Sequence, residues 1–392
     1  MCWIVGYNLN HIVIFANIRR LIHHLRVCIM AFNEEPQAST FGETSQELNR
    51  IHQDIDYWAA ISTGGGVAVG VGVMAALGRF AVVYGPKTTM LGYLWLTLFV
   101  APLTLTYGER SEAIGAPGGV YGLVRNRYGL ALSFLVGWLE IGGYAAISAI
   151  LARLIVVYAL TFYSTFGGGV ALSLDWLTMG VIALFLIFKV TGWRGGRRLN
   201  ALLVYLALIF LAALSIYSVT NYHNAFTGLT SSLRSVRPLR LSALLMSSFW
   251  GVLMIYGFRH RILRRRKGVL LQIHWAIMLI VIALGGLMAI ATLPSVSIDS
   301  TFQHVLSVNP YSGLIFTGSD IVTALLALFS LALTSMGLSR SLQSGVEVIS
   351  TMTGDVFFPS IFNYRLHKTL SPPLLISAIP VSYTHLTLPT KA

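Results

Sequence analysis

Charged residues are scarce in this chain. Asp, Glu, Lys and Arg make up 10% of its 392 residues, whereas hydrophobic residues make up 55%. A soluble domain usually carries about 25% charged residues, and the mean hydropathy here is +0.73. The composition therefore predicts a polytopic membrane protein and excludes an ordinary soluble domain.

Sequence features of catalysis and of covalent cross-linking are also missing. The two cysteines, Cys2 and Cys28, both precede the first predicted span, so no disulfide or Cys-x-x-Cys site is available to the membrane part. The histidines are scattered, and neither a His-Glu-x-x-His nor a Gly-x-Ser-x-Gly motif occurs. A membrane enzyme would need a nucleophile–base pair or clustered metal ligands. We therefore predict that the protein is not an enzyme.

Eight apolar stretches approach the length of roughly 20 residues that a membrane-spanning helix needs. They fall at about 58–84, 88–107, 130–160, 172–190, 199–219, 241–258, 269–293 and 319–338. With a cytoplasmic N-terminus, the cytoplasmic loops carry most of the loop Lys and Arg residues, including the basic run 259–267. This bias predicts a multi-pass protein of the cell (plasma or inner) membrane with its N-terminus in the cytoplasm. It also explains the net charge of +13 without a nucleic-acid partner.

The two ends of the chain differ in character from its middle. Residues 1–57 resemble a cytosolic tail, in which 1–29 is either an upstream extension before a start at Met30 or an amphipathic interfacial helix. Residues 381–392 resemble a translated sequencing adapter, and a real polar terminus is the alternative. The apolar run before them is too short to cross a bilayer. We therefore expect the membrane domain to cover 58–380 and to be truncated.

A glycine-rich stretch stands inside the first apolar run. Residues 64–78 include six glycines, and each costs about 1 kcal/mol relative to alanine in a helix interior. A glycine-rich break at membrane depth survives where it lines a cavity or meets a ligand. Gly70, Val71 and Gly72 are therefore a candidate substrate site. The alternative is tight helix packing through small residues.

One acidic residue falls at membrane depth in the third stretch. Glu140 lies roughly 15 Å into a helix that begins near Leu130, at about 1.5 Å per residue. Ionisable groups at that depth are functional by default, so Glu140 is a candidate coupling or pocket residue. Tyr144, one turn later, shares its face. The alternative is a carboxyl group that is hydrogen-bonded within the bundle.

Several motifs occur in a fixed order. They are Tyr-Gly-Pro at 84–86, Leu-Thr-Tyr-Gly-Glu-Arg at 105–110, Pro-Gly-Gly-Val-Tyr at 117–121 and Val-Gly-Trp-Leu-Glu at 136–140. In this order the chain resembles the amino acid–polyamine–organocation (APC) superfamily of permeases. Looser similarities at 192–200 and 340–359 extend the resemblance over about 58–380.

The resemblance implies an all-α polytopic fold, the inverted-repeat LeuT-like transporter fold, with about eight of its ten core helices present. Helices one and six of that fold are broken at mid-membrane. The partner of the glycine-rich site would then be Phe249, Trp250 and Gly251 in the sixth stretch.

The same resemblance implies how a substrate would be held. Its carboxylate would meet free backbone N–H groups at Val71 and Gly72, where a helix N-terminus offers partial positive charge. Its ammonium group would meet backbone carbonyls near Ala68, Ser247 and Trp250.

Departures from the family pattern bear on the coupling ion. Many relatives carry an acidic residue shortly after the helix-six glycine, where this chain has Leu253. Glu140 then remains the candidate for proton coupling. Thr334 and Ser335 resemble the hydroxyl pair that completes a sodium site, although small hydroxyls also serve packing. We expect no cofactor other than a coupling proton or sodium ion.

The sequence therefore predicts a secondary active transporter of amino acids or related amines or polyamines that works by alternating access, as an antiporter or a symporter. Its expected partners are a small-molecule substrate and the lipid bilayer. The alternatives are a non-transporting membrane sensor or binding protein and an inactive truncated fragment.

Overall fold

The computed structural model describes residues 57–74, 80, 84–114, 118–167, 174–190, 197–221, 237–258, 268–291, 320–359, 365–366 and 369–370. All of them belong to one compact unit, Gln53–Ala392. The predicted N-terminal tail, apart from Tyr57, and the adapter-like end at 381–392 lie outside the described residues.

The described chain is almost entirely helical. Its α-helices are α1 (Tyr57–Ala68), α2 (Pro86–Ile114), α3 (Gly119–Tyr128), α4 (Leu130–Ser164), α5 (Leu174–Val190), α6 (Arg197–Asn221), α7 (Arg237–Leu244), α8 (Trp250–Phe258), α9 (Val269–Ala291) and α10 (Asp320–Gly354). A π-helical turn follows α1, and a 3₁₀ turn joins α7 to α8. Two short antiparallel strands, β1 (Arg365–Leu366) and β2 (Thr369–Leu370), are the only strands in the described part of the chain.

Each of the eight predicted apolar stretches contains helix among its described residues. Within the described ranges, six helical spans are long and apolar enough to cross a membrane, and Tyr57–Val73 is a shorter apolar helix. Large apolar side chains such as Leu139 and Trp58 point outward, as suits helices surrounded by hydrocarbon. The chain therefore has the helices of a multi-pass membrane protein.

The eighth predicted span was too short. It was placed at 319–338, but α10 continues to Gly354. The added part contains serines, which lower the mean hydropathy of the segment, yet several of them face inward. Ser341 Oγ donates to the backbone carbonyl of Tyr144 at 3.0 Å, and Ser148 Oγ donates to Ser341 Oγ at 2.9 Å. Polar contacts with α4 thus carry the helix past the end of the apolar run.

The segment between the second and third spans also contains a helix that was not predicted. This is α3, which packs against α4 and contacts α8 and α10. Among the described helices, the most extensive packing is that of α4 with α10.

Segment one, which consists of α1 and the π-turn after it (residues 57–74), lies at the centre of the bundle. Val67, Ala68 and Val69 are fully buried, and the segment packs against α6, α8, α9 and α10. Because neighbours surround it, small residues are needed wherever another backbone comes close. This central position places the glycine-rich stretch among the residues described next.

Candidate functional site

The glycine-rich stretch forms a π-helical turn, Val69–Met74, directly after α1. A π-turn widens the hydrogen-bond step to five residues and occurs frequently at functional sites. Tyr93 on α2 donates its hydroxyl hydrogen to the carbonyl oxygen of Gly72 at 2.8 Å. The predicted break in helix one therefore exists as a π-turn held by a tyrosine. The described part of the break is a widened helical turn and not a loss of helical structure.

Segment six, which comprises α7 and α8 (residues 237–258), is interrupted just before the predicted residues 249–251, and the interruption shares only Phe249 with them. The 3₁₀ turn Leu245–Phe249 separates α7 from α8. In it, the backbone N–H of Trp250 donates to the carbonyl oxygen of Ser247. One of the carbonyls predicted for the substrate ammonium group thus has a partner in this structure, although a carbonyl oxygen can accept a second hydrogen bond.

The two interrupted helices touch at glycines. A Cβ atom built on Gly72 would overlap the backbone and side chain of Ser248. A Cβ on Gly251 would overlap the carbonyl oxygen of Gly64 and crowd the backbone nitrogen of Ala68. The fold therefore packs the glycine-rich segment against the sixth segment, with Gly72 against Ser248 and Gly251 against Gly64 and Ala68. The finer pairing of 70–72 with 249–251 stays a prediction.

A third side of the site belongs to α10. A Cβ on Gly70 would lie 3.3 Å from the carbonyl oxygen of Leu333 and 3.7 Å from the nitrogen of Thr334. Thr334 is buried, and its hydroxyl hydrogen is directed to the carbonyls of Ser330 and Leu331 at 2.8 and 3.2 Å. Lone pairs of the Thr334 oxygen remain for another ligand. Ser335 beside it is half-buried.

The fourth side belongs to α4. The indole ring of Trp250 lies directly on Gly143, where a Cβ would overlap the ring. The ring of Tyr144 meets the same indole edge-on, with centroids 5.3 Å apart. The Trp250 Nε1 atom is buried and has no hydrogen-bond acceptor in the described structure. Trp250 thus fills the space between α8 and α4.

Glu140 caps the N-terminus of α3. Its Oε2 accepts a hydrogen bond from the backbone N–H of Tyr121 at 3.0 Å, and its Oε1 accepts longer ones from the backbone N–H of Val120 and the hydroxyl of Tyr144, both at 3.4 Å. A negative charge is stabilised at a helix N-terminus. The geometry favours the hydrogen-bonded alternative for Glu140, and its role in coupling stays a prediction.

Two glycines permit this cap. Gly118 and Gly119 have φ angles of 91° and 63°, a region that L residues with side chains rarely adopt. A Cβ on Gly119 would lie 2.8 Å from Glu140 Oε1, and one on Gly118 would lie 2.9 Å from Thr351. The Pro-Gly-Gly-Val-Tyr motif therefore encodes the docking of α3 against α4 and α10.

The other contact of α3 with α10 is ionic. Arg125 Nη2 lies 2.5 Å from Asp355 Oδ1, and the hydroxyl of Tyr121 donates to Asp355 Oδ2. Burial raises the pKa of Asp355, and the Arg125 charge and the Tyr121 hydrogen bond only partly offset this. The sequence analysis assigned no role to these residues. Tyr121 and Arg125 are four apart, and helical spacing alone would have placed them on one face.

Comparisons with known proteins agree on the fold. The crystal structure of MhsT in complex with L-phenylalanine matches with a TM-score of 0.60 and 14% identity over 86% of this chain and 80% of that one. Two mutants of the Eremococcus coleocola manganese transporter match with TM-scores of 0.51, at 15% and 14% identity, over 89% of this chain and 73% of theirs. The chain thus has the inverted-repeat, LeuT-like transporter fold, and the second neighbour is named as a manganese transporter.

Sequence comparisons add no relative. No protein-family model matches the chain, and no curated protein matches it. Membership of the APC superfamily accordingly stays a prediction. Among the described residues, no group of three His, Cys, Asp or Glu side chains is placed to hold a metal ion.

Proposed function

We propose that this chain is a secondary active transporter of amino acids or related amines that works by alternating access. The observation that carries the proposal is the contact between two interrupted helices, through Gly72 with Ser248 and Gly251 with Gly64, in the core of the bundle. Transporters of this fold bind substrate between discontinuous helices at the bilayer midplane. A packing interface alone would not require both helices to depart from α-geometry at the same level.

The substrate would be held mainly by backbone groups. If the π-turn opened, the N–H groups of Val71 and Gly72 would lose their helical partners and could bind a carboxylate. The carbonyls of Ala68, Ser247 and Trp250 would receive the ammonium group. The site residues Val71 and Phe249 are buried, so the structure resembles a closed state. Opening and closing of the site would require the two segments to move apart.

The coupling ion is a separate part of the proposal. The backbone of Thr334 lies beside Gly70, and its hydroxyl oxygen, which donates to backbone carbonyls, can still accept a ligand, which supports a sodium site with Ser335 against carbonyls of segment one. Glu140 already accepts three hydrogen bonds, which supports a structural role for it more than proton carriage. In the cell membrane, the basic loops would keep the N-terminus in the cytoplasm.

Uptake by purified protein in proteoliposomes tests the proposal. The substrate panel contains amino acids, polyamines and Mn²⁺, each with and without a sodium or proton gradient, and thermal unfolding reports binding in parallel. We expect saturable uptake of at least one amino acid or amine and a matching rise in Tm. Binding without flux would favour a sensor. The proposal would be refuted if no compound in the panel were taken up and none changed the Tm.

A further inference from the structure

Trp250 occupies an unusual place in the site. It is the first residue after the 3₁₀ turn, between Ser248 and Gly251, which both contact segment one. Its own side chain points away from those contacts, towards α4. There it lies on Gly143 and against the ring of Tyr144.

The side chain of Trp250 therefore forms the wall of the proposed site that faces α4. Segment one contacts both segment six and α4, and Trp250 of segment six contacts α4 at Gly143 and Tyr144. The side chain of a substrate held by the backbone of segments one and six would extend towards α4. The indole can lie here because residue 143 is glycine, and a Cβ at that position would overlap the ring. The indole thus occupies the space beside Gly143 that a branched or aromatic substrate group would need.

We infer that Trp250, seated on Gly143, limits the size of the substrate side chain, so that the site takes amino acids of the glycine, alanine and serine class. This inference rests on the proposed function. It adds a substrate class that backbone recognition cannot supply, because carboxylate and ammonium groups are common to all amino acids.

The indole N–H supports the same assignment. Buried donors are normally paired, and Trp250 Nε1 has no acceptor in the described structure. A small substrate leaves this N–H in place and can offer it an oxygen, such as the hydroxyl of serine. A bulky substrate would have to displace the ring from Gly143.

Equilibrium binding to the full chain in lipid nanodiscs tests the inference. Radiolabelled glycine, alanine, leucine and phenylalanine are the probes. We expect alanine to bind at least about tenfold more tightly than leucine, because one extra methylene in a filled apolar pocket already changes recognition by roughly that factor. In Trp250→Ala the leucine-to-alanine affinity ratio should rise at least about tenfold.

Two further variants control the experiment. Trp138→Ala removes another tryptophan, one that is 46% exposed on α4 and packs against Phe358, and it should leave the ratio unchanged. Trp250→Leu removes less volume and should move the ratio in the same direction if Trp250→Ala does not fold.

The outcomes separate the inference from the function on which it rests. If wild-type protein binds none of the four amino acids, the inference fails, and the wider panel of amino acids and amines then decides whether the proposed function also fails. If wild-type protein binds phenylalanine as tightly as alanine, the inference fails while the transporter proposal stands. An unchanged leucine-to-alanine ratio in both Trp250 variants would also overturn it.

Discussion

The substitution Gly251→Ala probes the contact between the two interrupted helices. The added methyl group would meet the carbonyl oxygen of Gly64 and lie 2.8 Å from Ala68 Cβ. These atoms belong to, or sit directly on, the backbone of a fully buried segment and cannot rotate away. Overpacking of this kind destabilises a protein by about 1–3 kcal/mol. For a chain of this size that corresponds to a fall in Tm of roughly 2 °C per kcal/mol.

Gly142→Ala is the matched control. Gly142 is exposed on α4, and a Cβ there meets nothing within 4 Å, so alanine should be neutral or stabilising by up to about 1 kcal/mol. Thermal unfolding followed by size-exclusion chromatography measures both variants. If Gly251→Ala unfolds at the same temperature as Gly142→Ala, or higher, the close approach of the two helices would be refuted.

Three further predictions concern groups around the site. Tyr93→Phe should leave the Gly72 carbonyl without its 2.8 Å partner and destabilise the protein by about 1–3 kcal/mol, whereas Tyr163→Phe, at an exposed position, should have no effect on Tm. Glu140→Gln should lower Tm, because it weakens the cap on α3, and should leave the pH dependence of uptake unchanged; loss of that dependence in a folded variant would restore Glu140 as the proton carrier. Burial raises the pKa of Asp355 above the ordinary 3.8, so the folded state holds this proton more tightly than the unfolded state does. Stability should therefore fall as pH rises from 3.8 through the raised value. Asp355→Asn should flatten that part of a Tm–pH profile, and an unchanged profile would contradict the assignment.

The helical architecture was largely predictable from the sequence. Eight apolar runs separated by polar segments give a strong signal, since a bilayer demands long apolar helices. That the first and sixth segments meet was also predictable, because the motifs at 84–140 resemble a family in which these two segments are partners. Gly251 contacts Gly64 and Ala68, and Gly72 contacts Ser248, so the finer pairing of 70–72 with 249–251 stays a prediction.

Other features depend on contacts between distant segments, and local pattern could not supply them. Glu140 was noticed for its depth, but its partners are backbone N–H groups of α3, about 20 residues earlier in the chain. The extension of α10 depends on serines that face α4. The contact of Trp250 with Gly143 likewise joins two segments that are distant in the chain, and neither local sequence predicts it.

Protection of an introduced cysteine tests the central claim, that the substrate binds where segments one and six meet. Ser247 is half-buried in the 3₁₀ turn, and Cys2→Ser with Cys28→Ser gives a background without native thiols. The rate at which a methanethiosulfonate reagent modifies Ser247→Cys is measured with and without alanine, beside Ser164→Cys at the exposed end of α4. We predict that alanine slows modification of the Ser247→Cys variant saturably and leaves the Ser164→Cys variant unaffected. Binding of alanine, seen as a rise in Tm, with no change in the modification rate of Ser247→Cys would contradict the proposed location.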